Sequence, residues 1–239
     1  MAAGNVFWDA IARLYNSESG TSHIIRTNDE LRVWNDIGSA VKFQKGRVII
    51  GPDVIPDCFY IVKSGVVMAY EELDNGSELA YFFMERNSVL LEANLILSKA
   101  PGVSFRALED SMLIRVTREQ LLRALEDNPM VLISLLSSVS NKFLDAMDAN
   151  REMKKHDAYW RVCGLLIEFA EKYGAQYDGK VLIRRRISVQ LITDMLGINR
   201  ATTVRSMRKL RDLGLVEHIN GYYCVRSIEA LRRHQENNA

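Results

Sequence analysis

The sequence predicts an α+β chain: an N-terminal antiparallel β-barrel, a long dimerisation helix, and a basic C-terminal module of short helices closed by a hairpin. Three observations predict it. Short β-branched and aromatic runs punctuated by turn residues begin near Val41, a heptad of apolar side chains follows Asn128-Pro129, and the charge changes sign along the chain. The composition agrees, with 48% hydrophobic and 26% charged residues but only 14 Gly and 4 Pro in 239. That excludes a disordered or collagen-like chain and leaves room for two domains.

The strand runs are Val48-Ile49-Ile50, Phe59 to Val62, Val66 to Tyr70 and Leu79 to Met84, with further strands expected at Ser104 to Ala107 and Met112 to Val116. Lys45-Gly46, Gly51-Pro52-Asp53, Ser64-Gly65 and Asp74-Asn75-Gly76 separate them. Even spacing with hairpin turns argues for a sandwich or closed barrel, and Asn75-Gly76 suits a tight hairpin. Upstream, Phe7, Trp8, Ile11 and Leu14 stand at helical spacing, which predicts one or two short helices packed on the barrel.

Asn128-Pro129 is a helix start, a cap residue followed by proline in the first turn. The helix is expected to run to about Lys155. Its apolar stripe falls at Leu132, Leu136, Val139, Phe143, Ala146, Asn150 and Met153, alternating steps of four and three that mark a two-stranded coiled-coil seam. Asn150 occupies a seam position where a polar residue selects register. The alternative is a long helix packed inside a monomer with Asn150 exposed. Lys154 to Asp157 breaks the pattern and serves as hinge, with Asp157 capping a helix from Ala158 to Tyr173. The domains are therefore expected at 1–127 for the N-terminal helices and barrel, 128–156 for the dimerisation helix and hinge, and 157–239 for the C-terminal module.

Charge separates the halves. Residues 1–157 hold 17 Lys and Arg against 22 Asp and Glu, whereas residues 158–239 hold 14 against 8. Between Lys180 and Leu215 nine basic residues face only Asp194 and Asp212, the footprint of a polyanion partner. There Ser188 caps a helix over Val189 to Leu196, Gly197-Ile198 turns, and Asn199 caps a second helix from Arg200 to Leu213. Leu215 to Ile219, Asn220-Gly221 and Tyr222 to Val225 form a hairpin, so the module reads as a winged helix-turn-helix. Arg200 and Arg205 are the candidates for bidentate contact with guanine. Arg186, Ser188, Gln190, Asn199, Thr202 and Thr203 complete the DNA-facing set, chiefly by holding the backbone. The expected partner is double-stranded DNA.

Catalytic machinery is not visible. Phe43 to Lys155 contains no histidine to build a metal-dependent cupin site, and Glu71, Glu72, Glu85 and Glu92 read as a solvated face. The chain shows no nucleophile elbow and no P-loop. Cys58, Cys163 and Cys224 are scattered and read as buried small hydrophobes rather than as disulfides or metal ligands. No cofactor or metal is expected. The remaining catalytic alternative is a cupin-like barrel fused to a DNA-binding module. No apolar stretch is long enough to span a bilayer and the N-terminus lacks an export-signal pattern, so the expected location is cytoplasmic, without membrane contact.

The order of parts resembles the Crp/Fnr family of bacterial transcription regulators over about Val41 to Ile228. The resemblance rests on Phe43-x-Lys45-Gly46, Asp57 through Gly65, Gly76-x-Glu78, Val89-Leu90-Leu91-Glu92, and Ile187-Ser188 through Leu196-Gly197-Ile198-Asn199-Arg200-x-Thr202-x-x-Arg205. It implies a cyclic-nucleotide-binding-like jelly-roll barrel that senses an effector, a homodimer on a pseudo-palindromic operator, and RNA polymerase as a partner if the protein activates. Departures from the family pattern narrow the effector. Leu91 replaces the glycine of the family's Gly-Glu pair, Pro101-Gly102 stands at its phosphate-binding Arg-Ser, and Ala146-Met147 at its purine-contacting Thr-Ser. Cyclic AMP is thereby disfavoured, and the cysteine cluster and haem histidine of the redox and carbon monoxide branches are missing. The resemblance then points to members that take small organic molecules in an apolar pocket, such as halophenol-responsive regulators. Tyr70, Phe82, Met84, Glu92, Arg106, Phe143 and Met147 are the pocket candidates for this unidentified effector. A ligand-independent regulator of the same fold is the other alternative. In the recognition helix, Ala201 replaces the family's glutamate, which implies a different base preference at that position.

Overall fold

A computed structural model describes Trp34 and residues 36–74, 78–128 and 130–238. The expected N-terminal helices with Phe7, Trp8, Ile11 and Leu14, the Asn75-Gly76 turn and Pro129 lie outside the described residues. The described residues form two units: residues up to 69 together with 83–144, and residues 70–82 together with those from 145 onward.

The β-rich half contains β1 (Ser39–Phe43), β2 (Val48–Ile50), β3 (Cys58–Ser64), β4 (Val67–Glu72), β5 (Glu78–Met84), β6 (Val89–Leu90), β7 (Ser104–Ala107) and β8 (Ser111–Thr117). They form two four-stranded sheets in the orders β1-β8-β3-β6 and β2-β7-β4-β5. The non-sequential order is that of a jelly roll, two sheets sharing one core. In the first unit Phe59, Val62, Val67, Leu90, Leu113 and Val116 fill that core, and Trp34 packs edge-on against Phe59 with ring centroids 5.1 Å apart. Between β6 and β7 lies α1 (Glu92–Leu97), and after β8 comes α2 (Arg118–Asp127), started by a reciprocal capping box between Thr117 and Gln120.

The long helix α3 runs Met130–Lys155. In its first half the buried side chains are Val131, Ser134, Leu135 and Ser138, spaced for one helical face. Trp34 Nε1 donates to Ser134 Oγ at 3.1 Å on this face. Of the seam positions, Leu132, Leu136, Phe143, Ala146, Asn150 and Met153 are exposed and Val139 is half-buried.

The second unit is built on α4 (Ala158–Tyr173), capped by Asp157, whose carboxylate accepts from Trp160 N at 2.8 Å. Around it stand β9 (Gly174–Tyr177), β10 (Lys180–Ile183), α5 (Val189–Leu196), α6 (Arg200–Asp212), β11 (Val216–Ile219), β12 (Tyr222–Val225) and α7 (Ile228–Glu236). The sheet order is β11-β12-β10-β9, all antiparallel, so the wing hairpin pairs onto a second hairpin. Asn220 and Gly221, at φ 50° and 86°, give the wing turn its paired left-handed residues. Val162, Leu166, Phe169, Ile183, Ile192, Leu210 and Leu231 form the core. All three cysteines are free and buried. Among the described residues no helix is long and apolar enough to cross a membrane.

Candidate functional site

The DNA-facing candidates gather at α5, the turn after it and the start of α6. Ser188 Oγ accepts from Leu191 N at 2.9 Å and Asn199 Oδ1 from Thr202 N at 2.8 Å, so both residues cap the helices they precede. Gly197 closes α5 at φ 58°, a left-handed conformation in which a side chain is strained. That cap fixes where α6 begins.

Arg200 and Arg205 are exposed on the first two turns of α6. Each is held from behind: Arg200 Nη1 donates to Gln190 Oε1 at 3.1 Å, and Arg205 Nη2 to Thr202 Oγ1 at 3.2 Å. Gln190 in turn donates to Asp194 Oδ1 at 2.6 Å. Burial raises the Asp194 carboxyl above its ordinary range, an effect opposed by the Gln190 hydrogen bond and reinforced by Glu78. The chain Asp194–Gln190–Arg200 thus orients one guanidinium while leaving its remaining donors free for an acceptor. Arg186 is exposed beside the wing, its guanidinium 5.7 Å from the Tyr222 ring centre.

Thr203 departs from the expectation that it faces DNA. It is fully buried, sharing a 2.9 Å hydroxyl–hydroxyl bond with Thr193 that joins α5 to α6. With Ser206, Met207 and Leu210 it forms the inward face of α6 at steps of three and four. The basic segment also divides by role. Lys180 donates to both Glu217 carboxylate oxygens at 2.7 Å across the wing sheet, and Lys209 lies 3.9 Å from the Tyr159 ring centre.

The effector candidates divide between the units. Met84, Glu92, Arg106 and Phe143 fall in the first, and Tyr70, Phe82 and Met147 in the second. Met84, Tyr70 and Glu92 are buried, Phe82 and Arg106 half-buried, and Phe143 and Met147 exposed. Glu92, at the start of α1, is the centre of a buried polar group that sequence patterning alone does not reveal. Ser138 Oγ donates to Glu92 Oε1 at 3.0 Å, and Lys142 forms an ion pair with the same oxygen. The signal for Lys142 is its spacing: Ser134, Ser138 and Lys142 recur every fourth residue along the side of α3 that also buries Val131 and Leu135. Leu91, which precedes Glu92, holds φ 73°, ψ 6°. This is the left-handed region that favours glycine and costs a leucine about 1–3 kcal/mol.

The domain family described as cyclic nucleotide-binding domain matches residues 40–128, and the Crp-like helix-turn-helix domain matches residues 161–234. The chain belongs to the Crp/Fnr family. It is a DNA-binding transcription regulator of Crp/Fnr type with an effector-binding domain. The HTH-type transcriptional regulator ArcR of Staphylococcus epidermidis is 25% identical to this Crp/Fnr regulator over 171 residues, 71% of this chain and 74% of ArcR. Among solved structures, a CooA variant from Carboxydothermus hydrogenoformans superposes with TM-score 0.73 at 15% identity, covering 88% of this chain and 97% of that one. A CRP/FNR-family regulator from Thermus thermophilus gives 0.72 at 19% identity over 84% of this chain and all of that one. OCPA-complexed CprK gives 0.70 at 16% identity over 89% and 98%. These likenesses to solved structures concern the fold. Leu91, where the family resemblance implies a glycine, has a backbone conformation that favours one.

Proposed function

We propose that this regulator binds DNA as a homodimer joined along α3 and responds to a small organic effector, other than a cyclic nucleotide, in its barrel. The observation that carries the dimer is the two-faced burial of α3. Val131 and Leu135 are 1% and 2% exposed, while Leu132, Leu136, Phe143 and Met153 on the seam are 51%, 57%, 63% and 58% exposed. A contiguous apolar stripe of this size at heptad spacing calls for a second helix. Two recognition helices then address half-sites about 10 bp apart. Arg200 and Arg205 read bases, each contributing roughly 1–3 kcal/mol of discrimination. Ser188, Gln190, Asn199 and Thr202 hold phosphates at the helix starts, and Arg186 adds a phosphate contact from the wing side.

Selection from a random DNA library tests this reading. A pseudo-palindromic motif is expected; Arg200→Ala relaxes one base position, whereas Arg186→Ala weakens all duplexes alike and flattens the salt dependence. Recovery of no palindrome, together with a monomer in sedimentation, refutes it.

The effector reading draws support from CprK, which was solved with OCPA bound. Glu92 favours a second reading, in which the barrel is satisfied internally and the dimer is competent without ligand. Its carboxylate already has Lys142 and Ser138 as partners. Thermal titration with small aromatic acids and phenols separates the two, because a ligand held in the barrel raises the melting temperature of the native chain and loses that effect in Arg106→Gln.

A further inference from the structure

Within the second unit lies a cavity of about 550 Å³, walled by β5, the C-terminal part of α3, α4 and the turn between α5 and α6. Its volume falls in the range of small-molecule sites, about 300–1,000 Å³. Leu79, Phe82, Leu165, Met195 and Leu196 supply apolar wall, and three polar side chains, Glu152, Trp160 and Arg161, also line it. Each of the three has a buried atom with no hydrogen-bond partner: Glu152 Oε2, Trp160 Nε1 and Arg161 Nε.

These orphans have a definite polarity. Arg161 uses one nitrogen, Nη1, on the Leu196 carbonyl at 3.1 Å and makes no ion pair among the described residues. Burial lowers the guanidinium's pKa, with Asp157 partly offsetting the effect. Trp160 stacks on His156 at 3.7 Å between ring centres, which fixes the indole and hence the direction of its N–H. Two buried donors without acceptors beside an apolar cavity are what a ligand carboxylate completes, because an unpaired buried donor is costly and a bond from guanidinium to carboxylate is strong. Glu152 Oε2 sits 3.6 Å from His156 Nε2, too far for a hydrogen bond, and remains able to accept from a hydroxyl or N–H.

We propose that this cavity binds a small apolar carboxylic acid, its carboxylate received by Arg161 and the Trp160 N–H and its hydrocarbon body by Leu79, Phe82, Leu165 and Met195. A ligand hydroxyl completes Glu152. The site does not depend on an effector in the barrel and stands if that reading fails. Met195 and Leu196 end α5 and Gly197 is the cap that sets the start of α6, and the guanidinium that would take the carboxylate already holds the Leu196 carbonyl.

Calorimetric titration of the full chain with phenylacetate, 4-hydroxyphenylacetate and tyramine tests the assignment. Both acids are expected to bind, the hydroxy acid more tightly, and the cationic tyramine at least about tenfold more weakly than either. Arg161→Gln should weaken the acids by about 10- to 100-fold and Trp160→Phe, which keeps the ring packing, by several-fold. Far-UV circular dichroism verifies that each variant folds; should Arg161→Gln unfold, Trp160→Phe carries the test. Failure of both acids to bind the wild-type chain overturns the proposal. So does binding unchanged in the folded variants, or tyramine binding as tightly as the acids.

Discussion

Replacing Lys142 by Met tests whether the contact between α1 and α3 is a true buried ion pair. The Glu92 and Lys142 side chains are 2% and 21% exposed, so methionine keeps the aliphatic stem and removes only the ammonium. The Glu92 carboxylate is then left buried with the Ser138 hydroxyl still donating to it. Breaking a buried pair from one side costs about 3–5 kcal/mol, against about 0–1 kcal/mol for a surface pair. In a chain of this size each kcal/mol lowers the melting temperature by about 2–4 °C, so the expected drop is roughly 6–20 °C in the transition of the β-rich unit, read by scanning calorimetry. Glu92→Gln added to Lys142→Met removes the stranded charge while Ser138 keeps an acceptor, and should recover most of the loss. A single variant within about 2 °C of wild type, or a double variant as unstable as the single, refutes the reasoning.

Other outcomes follow from the same geometry. Thr203→Val leaves the buried Thr193 hydroxyl without its partner and is expected to cost about 1–3 kcal/mol in urea denaturation, whereas the double change with Thr193→Val returns most of it. Leu136→Glu and Phe143→Glu, both at exposed positions, should leave the far-UV spectrum intact while converting the sedimenting species to monomer and abolishing tight operator binding. Burial pushes the Cys163 thiol up to about 12, with Lys209 and Tyr159 opposing the shift. The folded chain therefore holds this proton to higher pH than the unfolded chain does. Stability should be level below about pH 9 and fall as pH rises toward 12, less steeply in Cys163→Ala, as followed by urea midpoints.

Elements with a strong period or a strong cap were legible in the sequence. The hairpin strands from Cys58 to Met84 showed as alternating β-branched and aromatic runs, α3 as a heptad, and the two helices of the DNA module by the caps Ser188 and Asn199. Elements without an apolar run were not. α1 has six residues and follows Leu91 in a left-handed conformation, which no pattern announces. α2 and α7 were written in the caps Thr117 and Ser227 rather than in hydrophobicity. β9 lacks β-branched residues, and only the Asp178-Gly179 turn marks its hairpin, with φ 48° and 71°. At the site, exposed arginines were legible because charge at a helix start has few other uses. Thr203 was not, because a threonine reads alike whether its hydroxyl meets a phosphate or a buried partner. Lys142 and Arg161 escaped for the converse reason: a long cation reads as surface until its environment is known.

The concealment of Cys58, Cys163 and Cys224 has a practical side. These are the chain's three cysteines, and they are 3%, 0% and 1% exposed. A cysteine placed at Lys155, which is exposed and off the seam, would be the accessible thiol for maleimide or nitroxide chemistry, with no native position to mutate away. Interspin distances across a pair of labelled chains could then be measured on an otherwise unaltered protein, with and without DNA or small acids.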